Sequence, residues 1–206
     1  MVKINLSFVA MAAMVATAAT AAPCSQRPMA PILRDVEPNQ RIPGTTIKEY
    51  HPFFLRSYNL DSFISVLEDE RLVVAGFRDG NGDFPQLKLC IVSSDSDCNP
   101  DIPSHCIYEN VEYRFRVSWP VPGYLRVVGN MVEIVGSFYD ASGLSLIREP
   151  GWGLRVAKLN HDGSRSVFST HNPGVPVTLE PIISNDTKQS FEIVELLMNE
   201  RSRVRS

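Results

Sequence analysis

Tyr113-Arg114-Phe115-Arg116-Val117 places apolar side chains at odd positions and arginines at even ones. Successive side chains of a β-strand point to opposite faces, so this stretch is a strand with one buried and one wet face. The alternation runs on to Trp119, which it assigns to the core. Two further apolar runs follow at 124–128 and 131–135, separated by the turn pair Gly129-Asn130. Glycine and asparagine are turn residues, so the pair marks a break between two candidate strands.

The same punctuation extends in both directions. Upstream, runs at 53–55, 63–67, 72–77 and 86–92 are separated by turn residues that include Asp79-Gly80 and Asn81-Gly82. Downstream lie 144–147, 154–159, 166–169, 175–179 and 191–197, with Ser142-Gly143 and Asp162-Gly163 among the turns. Twelve short strands predict an all-β domain over 50–197. Helical spacing is confined to the end, where Ile193, Leu196, Leu197 and Val204 share a face. Many short edges are usually hidden by closing or doubling the sheet. Strand number and size resemble the β-trefoil, which is built from three units of four strands. The similar triplets Phe54-Leu55-Arg56, Tyr124-Leu125-Arg126 and Gly153-Leu154-Arg155 add to that resemblance, although their spacing is unequal. A β-sandwich or jelly roll is the alternative.

The chain has 206 residues, 44% hydrophobic and 21% charged, with 20 Lys+Arg against 23 Asp+Glu for a net charge of -3. That balance lacks the basic footprint of a nucleic-acid binder, so no nucleic-acid partner is expected. Residues 1–21 begin with Lys3, continue through Leu6, Phe8, Val9, Met11, Met14 and Val15, and end in Ala19-Thr20-Ala21. A cationic start, an apolar middle and a small-x-small finish make a secretory signal peptide, with cleavage expected after Ala21. No other segment has the length and apolarity of a membrane span. The mature chain is expected to be secreted, extracellular and slightly more acidic. Residues 22–49, with Pro23, Pro28, Pro31, Pro38 and Pro43, read as an extended arm. Residues 198–206, with Arg201, Arg203 and Arg205, read as a basic solvated tail.

Secretion gives the cysteines a meaning. Cys24, Cys90, Cys98 and Cys106 are expected to form two disulfides. Three connectivities are open. Cys90 ends one apolar run and Cys106 precedes another, which favours Cys90 with Cys106 and leaves Cys24 for Cys98. No CxxC pair supports zinc, and no metal is expected. Asn185-Asp186-Thr187 is an N-glycosylation sequon in a polar turn.

Catalytic signatures are missing. There is no GxSxG or HExxH, and His51, His105, His161 and His171 lack metal-ligand spacing. Gly151 and Gly153 start a GxGxxG, but Val156 takes its third glycine position, so no nucleotide cofactor is implied. Asp79-Gly80-Asn81-Gly82-Asp83 has the oxygen spacing of a calcium loop, but Phe84 and Cys90 occupy its required Gly and Glu positions. A hairpin tip explains it better. Partners a long way apart in the chain leave enzyme status open, with a non-catalytic protein favoured and no cofactor.

Two stretches are candidates for binding. Gly151-Trp152-Gly153 sets an indole between glycines, and an aromatic face stacks on the apolar face of a sugar ring. Tyr139 and Asp140 form a turn upstream. An Asp in a turn followed by an aromatic resembles the subsite of ricin-type trefoil lectins. That resemblance implies Asp140 as hydroxyl acceptor and Trp152 as platform, although the family's Gln-x-Trp core is absent and Pro150 stands at its Gln position. The second stretch is Pro100-Asp101-Ile102-Pro103-Ser104-His105 between Cys98 and Cys106. Two prolines and flanking cysteines stiffen a loop, which lowers the ordering cost of binding. The expectation is a secreted binding protein whose partner is an extracellular glycan or a protein. The alternative is a secreted protease inhibitor or host-directed interaction protein acting through 100–105.

Overall fold

The computed structural model describes residues 48–67, 71–76, 85–102, 104–149 and 153–195. Twelve strands lie within them: β1 (Phe53–Ser57), β2 (Ser62–Leu67), β3 (Leu72–Ala75), β4 (Lys88–Val92), β5 (Arg114–Trp119), β6 (Gly123–Val128), β7 (Met131–Val135), β8 (Ser145–Glu149), β9 (Gly153–Leu159), β10 (Arg165–Ser169), β11 (Thr178–Pro181) and β12 (Phe191–Glu195). Every apolar run singled out in the sequence contributes a strand. The largest offset is at β11, where the run at 175–179 begins pairing in its ladder only at Thr178. Ile193 lies on β12.

All strand pairs are antiparallel and belong to one continuous sheet that closes on itself. From β1 the ladders run through β4, β5, β6, β7, β11, β10, β9 and β12 and return to β1, so nine strands close a barrel. A single bridge, Tyr113 to Leu144, ties the start of β5 to the start of β8 and shortens the circuit. Three hairpins, β2–β3, β6–β7 and β10–β11, touch one another through Leu72 with Glu133, Thr178 with Met131, and Val74 with Pro176. Between β6 and β7 the two-residue turn is Gly129-Asn130, with Gly129 at φ 61°. Glycine takes that backbone without a Cβ penalty.

The core follows from the alternation. Phe53 and Leu55, Leu89 and Ile91, Phe115 and Val117, Leu144 and Leu146, Leu154 and Val156, and Phe191 are buried in one cluster. Phe53 and Phe115 meet edge to face with centroids 6.4 Å apart. Each such side chain gains roughly 1.5–3 kcal/mol on leaving water. Arg114 and Arg116 take the opposite face of β5.

Trp119 corrects the sequence reading. It is 52% exposed, because the ladder between β4 and β5 slips at Lys88/Leu89: Leu89 pairs with Val117 and Lys88 with Trp119. The extra residue, Ser118, is a bulge that turns the strand end away from the core. The disulfide expectation is also corrected. Cys90 pairs with Cys98, with Cα atoms 5.7 Å apart, and not with Cys106. Cys90 alternates with Leu89 and Ile91, so its side chain leaves the barrel on the outer face, where the following loop folds back to meet it. Cys106 is disulfide-bonded as well, to a partner outside the described residues. Cys24 and the stretches 22–47 and 198–206 also lie outside them, as does Asp79 to Asp83.

The hairpin of β10 and β11 carries a titratable pair. His171 Nε2 lies 2.6 Å from Glu180 Oε1, and the Thr178 hydroxyl donates to the same oxygen at 3.1 Å. Burial acts to raise the Glu180 carboxyl, but these hydrogen bonds outweigh it and hold it below the usual value of 4.5. A depressed carboxyl stabilises the fold above the unfolded value and loses that contribution as pH falls through the folded one. Glu180→Gln is therefore expected to flatten the loss of thermal stability seen on acidification below about pH 4.5. Melting curves from pH 7 to 3 check this. Phe115→Ala, which empties the centre of the core, is expected to cost about 3–5 kcal/mol in urea unfolding.

Candidate functional site

The outer face of β4 and β6 carries a second, smaller cluster. Tyr50, Cys90, Val92, Tyr124 and Ala141 are buried there, with Cys98, Ile102, Val135 and Phe138 packed against them. The disulfide holds residues 93–97, of sequence Ser-Ser-Asp-Ser-Asp, over this cluster as a short loop beyond the end of β4. Tyr50 hydroxyl sits 3.1 Å from both Ser93 and Ser94 hydroxyls, and Ser93 donates to Glu49 Oε2 at 3.2 Å. Ser94 and Ser96 hydroxyls are 2.9 Å apart. These bonds stitch the loop to the body.

Tyr124 connects the loop to the barrel. Its hydroxyl donates to Asp95 Oδ1, and Arg116 lies over its ring at 4.7 Å from the centroid. Arg116 Nη2 donates to Asp97 Oδ1 at 2.5 Å, with Asp95 at 4.0 Å from Nη1. Burial, then the hydrogen bond to Asp95, pushes the Tyr124 phenol up to about 12, so it remains a donor at physiological pH. Arg116 is held by the same alternation that made β5 legible, since an even position on this strand points outward.

Tyr139 and Asp140 stand beside this assembly. The turn is closed by Asp140 N–H to Ser137 O at 3.3 Å and Ala141 N–H to Phe138 O at 3.3 Å. Phe138 packs edge-on against Tyr124 at 5.6 Å and against Tyr139 at 5.7 Å. Tyr139 is 86% exposed, and Asp140 is exposed next to it. A chain of rings thus links an outward aromatic surface to the Asp95–Asp97–Arg116 group. The chemistry on offer at its outer end is a flat apolar ring with the Asp140 carboxylate next to it.

Trp152, the expected partner of Asp140, lies outside the described residues. Gly153 next to it is demanded by packing. It has φ 89°, and a Cβ there would stand 2.6 Å from both Phe191 O and Tyr58 Cε2. In the second candidate stretch, Pro100, Asp101 and Ile102 form a turn closed by Ile102 N–H to Asn99 O at 3.1 Å. Ile102 packs into the Tyr50 cluster, His105 O accepts from Glu49 N–H at 2.9 Å, Ser104 is half-buried, and Pro103 lies outside the described residues.

Sequence reasoning missed Asp95, Asp97, Arg116, Tyr124 and Phe138. One signal was available: Cys90 and Cys98 bracket a run of serines and aspartates, a composition suited to a stapled polar loop. Among the described residues no group of three or more His, Cys, Asp or Glu is arranged to hold a metal ion, and no helix has the length and apolarity to cross a membrane.

No protein-family model matches the chain, and no curated protein resembles it in sequence. Solved structures do resemble it in fold. The botulinum neurotoxin serotype C1 binding domain matches with TM-score 0.52 at 11% identity, over 75% of this chain and 45% of that one. The serotype D binding domain matches with TM-score 0.50 at 10% identity, over 72% and 42%. A serotype D ligand-binding domain in complex with N-acetylneuraminic acid matches with TM-score 0.49 at 9% identity, over 72% and 42%. The chain spans less than half the length of these structures, and identity at this level is a likeness of fold.

Removing the staple tests how the loop is held. The double variant Cys90→Ser, Cys98→Ser is expected to lose about 2–3 kcal/mol of stability and to make the amides of 93–97 exchange faster, read by urea unfolding and hydrogen exchange.

Proposed function

We propose that this chain is a secreted, non-catalytic binding protein that takes neutral carbohydrate on Tyr139. In this reading residues 1–21 are a leader, 22–49 an arm, 50–197 the binding domain and 198–206 a tail. The observation that carries the proposal is the 86% exposed Tyr139 ring, met edge-on by Phe138 and followed by the exposed Asp140. Large aromatics are normally buried, and one held rigidly in water is suited to stack on the apolar face of a pyranose. Asp140, exposed and next to Tyr139 in the turn, is the acceptor proposed for a sugar hydroxyl. Arg116 is already engaged by Asp97 and lies near Asp95, so the patch keeps a negative excess that disfavours an acidic sugar.

The fold proposed for this module is the β-trefoil. Pairings β1–β4, β4–β5, β8–β9, β9–β12 and β12–β1, with the bridge from Tyr113 to Leu144, trace a six-strand ring, and the three mutually contacting hairpins are suited to cap it. The stretch 100–105 has less support as a bait loop, because Ile102 and His105 are tied to the body.

Binding of purified protein to a glycan array, followed by calorimetry on the best ligand, tests the proposal. Neutral glycans are expected to bind better than their sialylated forms, and Tyr139→Ala is expected to weaken binding about tenfold or more, which is about 1.4 kcal/mol. Absence of glycan binding, or binding unchanged in Tyr139→Ala, overturns it.

A further inference from the structure

The connection between β11 and β12 is pinned from below by two buried polar side chains. Arg155 Nη2 donates to Ile183 O at 2.7 Å and its Nη1 to Gln189 Oε1 at 3.3 Å. Gln189 Oε1 accepts from Ile183 N–H at 2.9 Å, and its Nε2 donates to Pro181 O at 2.9 Å. Above this base, Asp186 caps a single 3-10 turn, Thr187–Gln189, by accepting from Lys188 N–H at 3.0 Å. Asn185 is exposed and has φ 59°, a left-handed backbone that Asn adopts more readily than most residues. Beside it Ile182 and Ile183 are 45% and 52% exposed. The two adjacent isoleucines thus form a small apolar strip on a loop held firmly to the body.

We propose that Asn185 carries an N-linked glycan and that this glycan covers Ile182 and Ile183. The proposal rests on the secretion reading above, because the donor is found only on the secretory route. Asn185-Asp186-Thr187 has the acceptor pattern, and the native turn leaves room for the product. In the transfer, Asn185 Nδ2 attacks the anomeric carbon of a lipid-pyrophosphate oligosaccharide. The new N–C bond replaces the C–O bond, the lipid pyrophosphate leaves with the electron pair, and an amide proton goes to base. The sugar chain then extends over the neighbouring apolar pair, taking it out of contact with other protein molecules.

The full chain is expressed in a eukaryotic secretory host and compared with Asn185→Asp, Thr187→Ala and Thr187→Ser. Asn185→Asp removes the acceptor while keeping a residue that tolerates φ 59°, and Thr187→Ser preserves the sequon. Protein in the medium is expected to show one mobility shift that a peptide N-glycosidase removes, with deamidation mapped to Asn185 by mass spectrometry. The shift is expected to be absent in Asn185→Asp and Thr187→Ala and present in Thr187→Ser. Asn185→Asp is expected to self-associate severalfold more by light scattering, and adding Ile182→Ser and Ile183→Ser to it is expected to reverse this. Secreted but unshifted protein overturns the site while secretion stands. Protein retained in the cell and unmodified overturns both, and a glycan whose loss leaves association unchanged overturns the covering role.

Discussion

Strand β1 is the joint on which the rest of the structure depends. Phe53 pairs with Glu195 on one side and with Leu89 on the other, so the first described strand and the last are neighbours and the sheet has no gap at that point. An open sheet leaves a row of unpaired donors and acceptors, and closure removes it. Closure also fixes which face is inside. With a side-chain period of two, a one-residue slip of β4 or β5 would expel Leu89 or Phe115 from the core. The bulge at Ser118 is tolerated because it falls at the end of β5, beyond Val117, where only Trp119 is displaced.

The same parity creates the outer cluster. A strand that sends Leu89 and Ile91 inward must send Cys90 and Val92 outward, and those apolar groups need a roof. The loop 93–97, Tyr50 and the turn at Phe138 supply it. Tyr50 takes φ 67° to do so, a strained backbone for an aromatic residue that the surrounding bonds to Ile91 O and the serines over-determine. The proposed patch is therefore a by-product of roofing, with polar residues facing out because the apolar ones are used beneath.

Strand positions were legible because alternation is a local property, visible in five consecutive letters such as Tyr113 to Val117. Properties that depend on where strands meet were not. Leu55 and Leu154 are equivalent, each on a strand paired with the strand three further along the chain (β1 with β4, β9 with β12), whereas Leu125 sits on β6, paired with β5 and β7. The resemblance of the three triplets thus mixed two structural positions, which is why their spacing was unequal. Cys90 was assigned to the wrong partner because its outward direction is set by the barrel. Tyr139 and Asp140 were singled out from their turn and a lectin resemblance, whereas Asp95, Asp97 and Arg116 become one group only when β5 lies beside β4.

A site built this way has a consequence for rigidity. Free Ser and Asp loops are mobile and lose conformational entropy when they bind. Here the Cys90–Cys98 closure, the Tyr50 hydroxyl and the Tyr124 hydroxyl each restrain the loop from a different element. Phe138 then transmits the position of Tyr124 to Tyr139 through two edge-on ring contacts. Most of the ordering cost is consequently met on folding, so a ligand on the proposed site would meet a surface already in place.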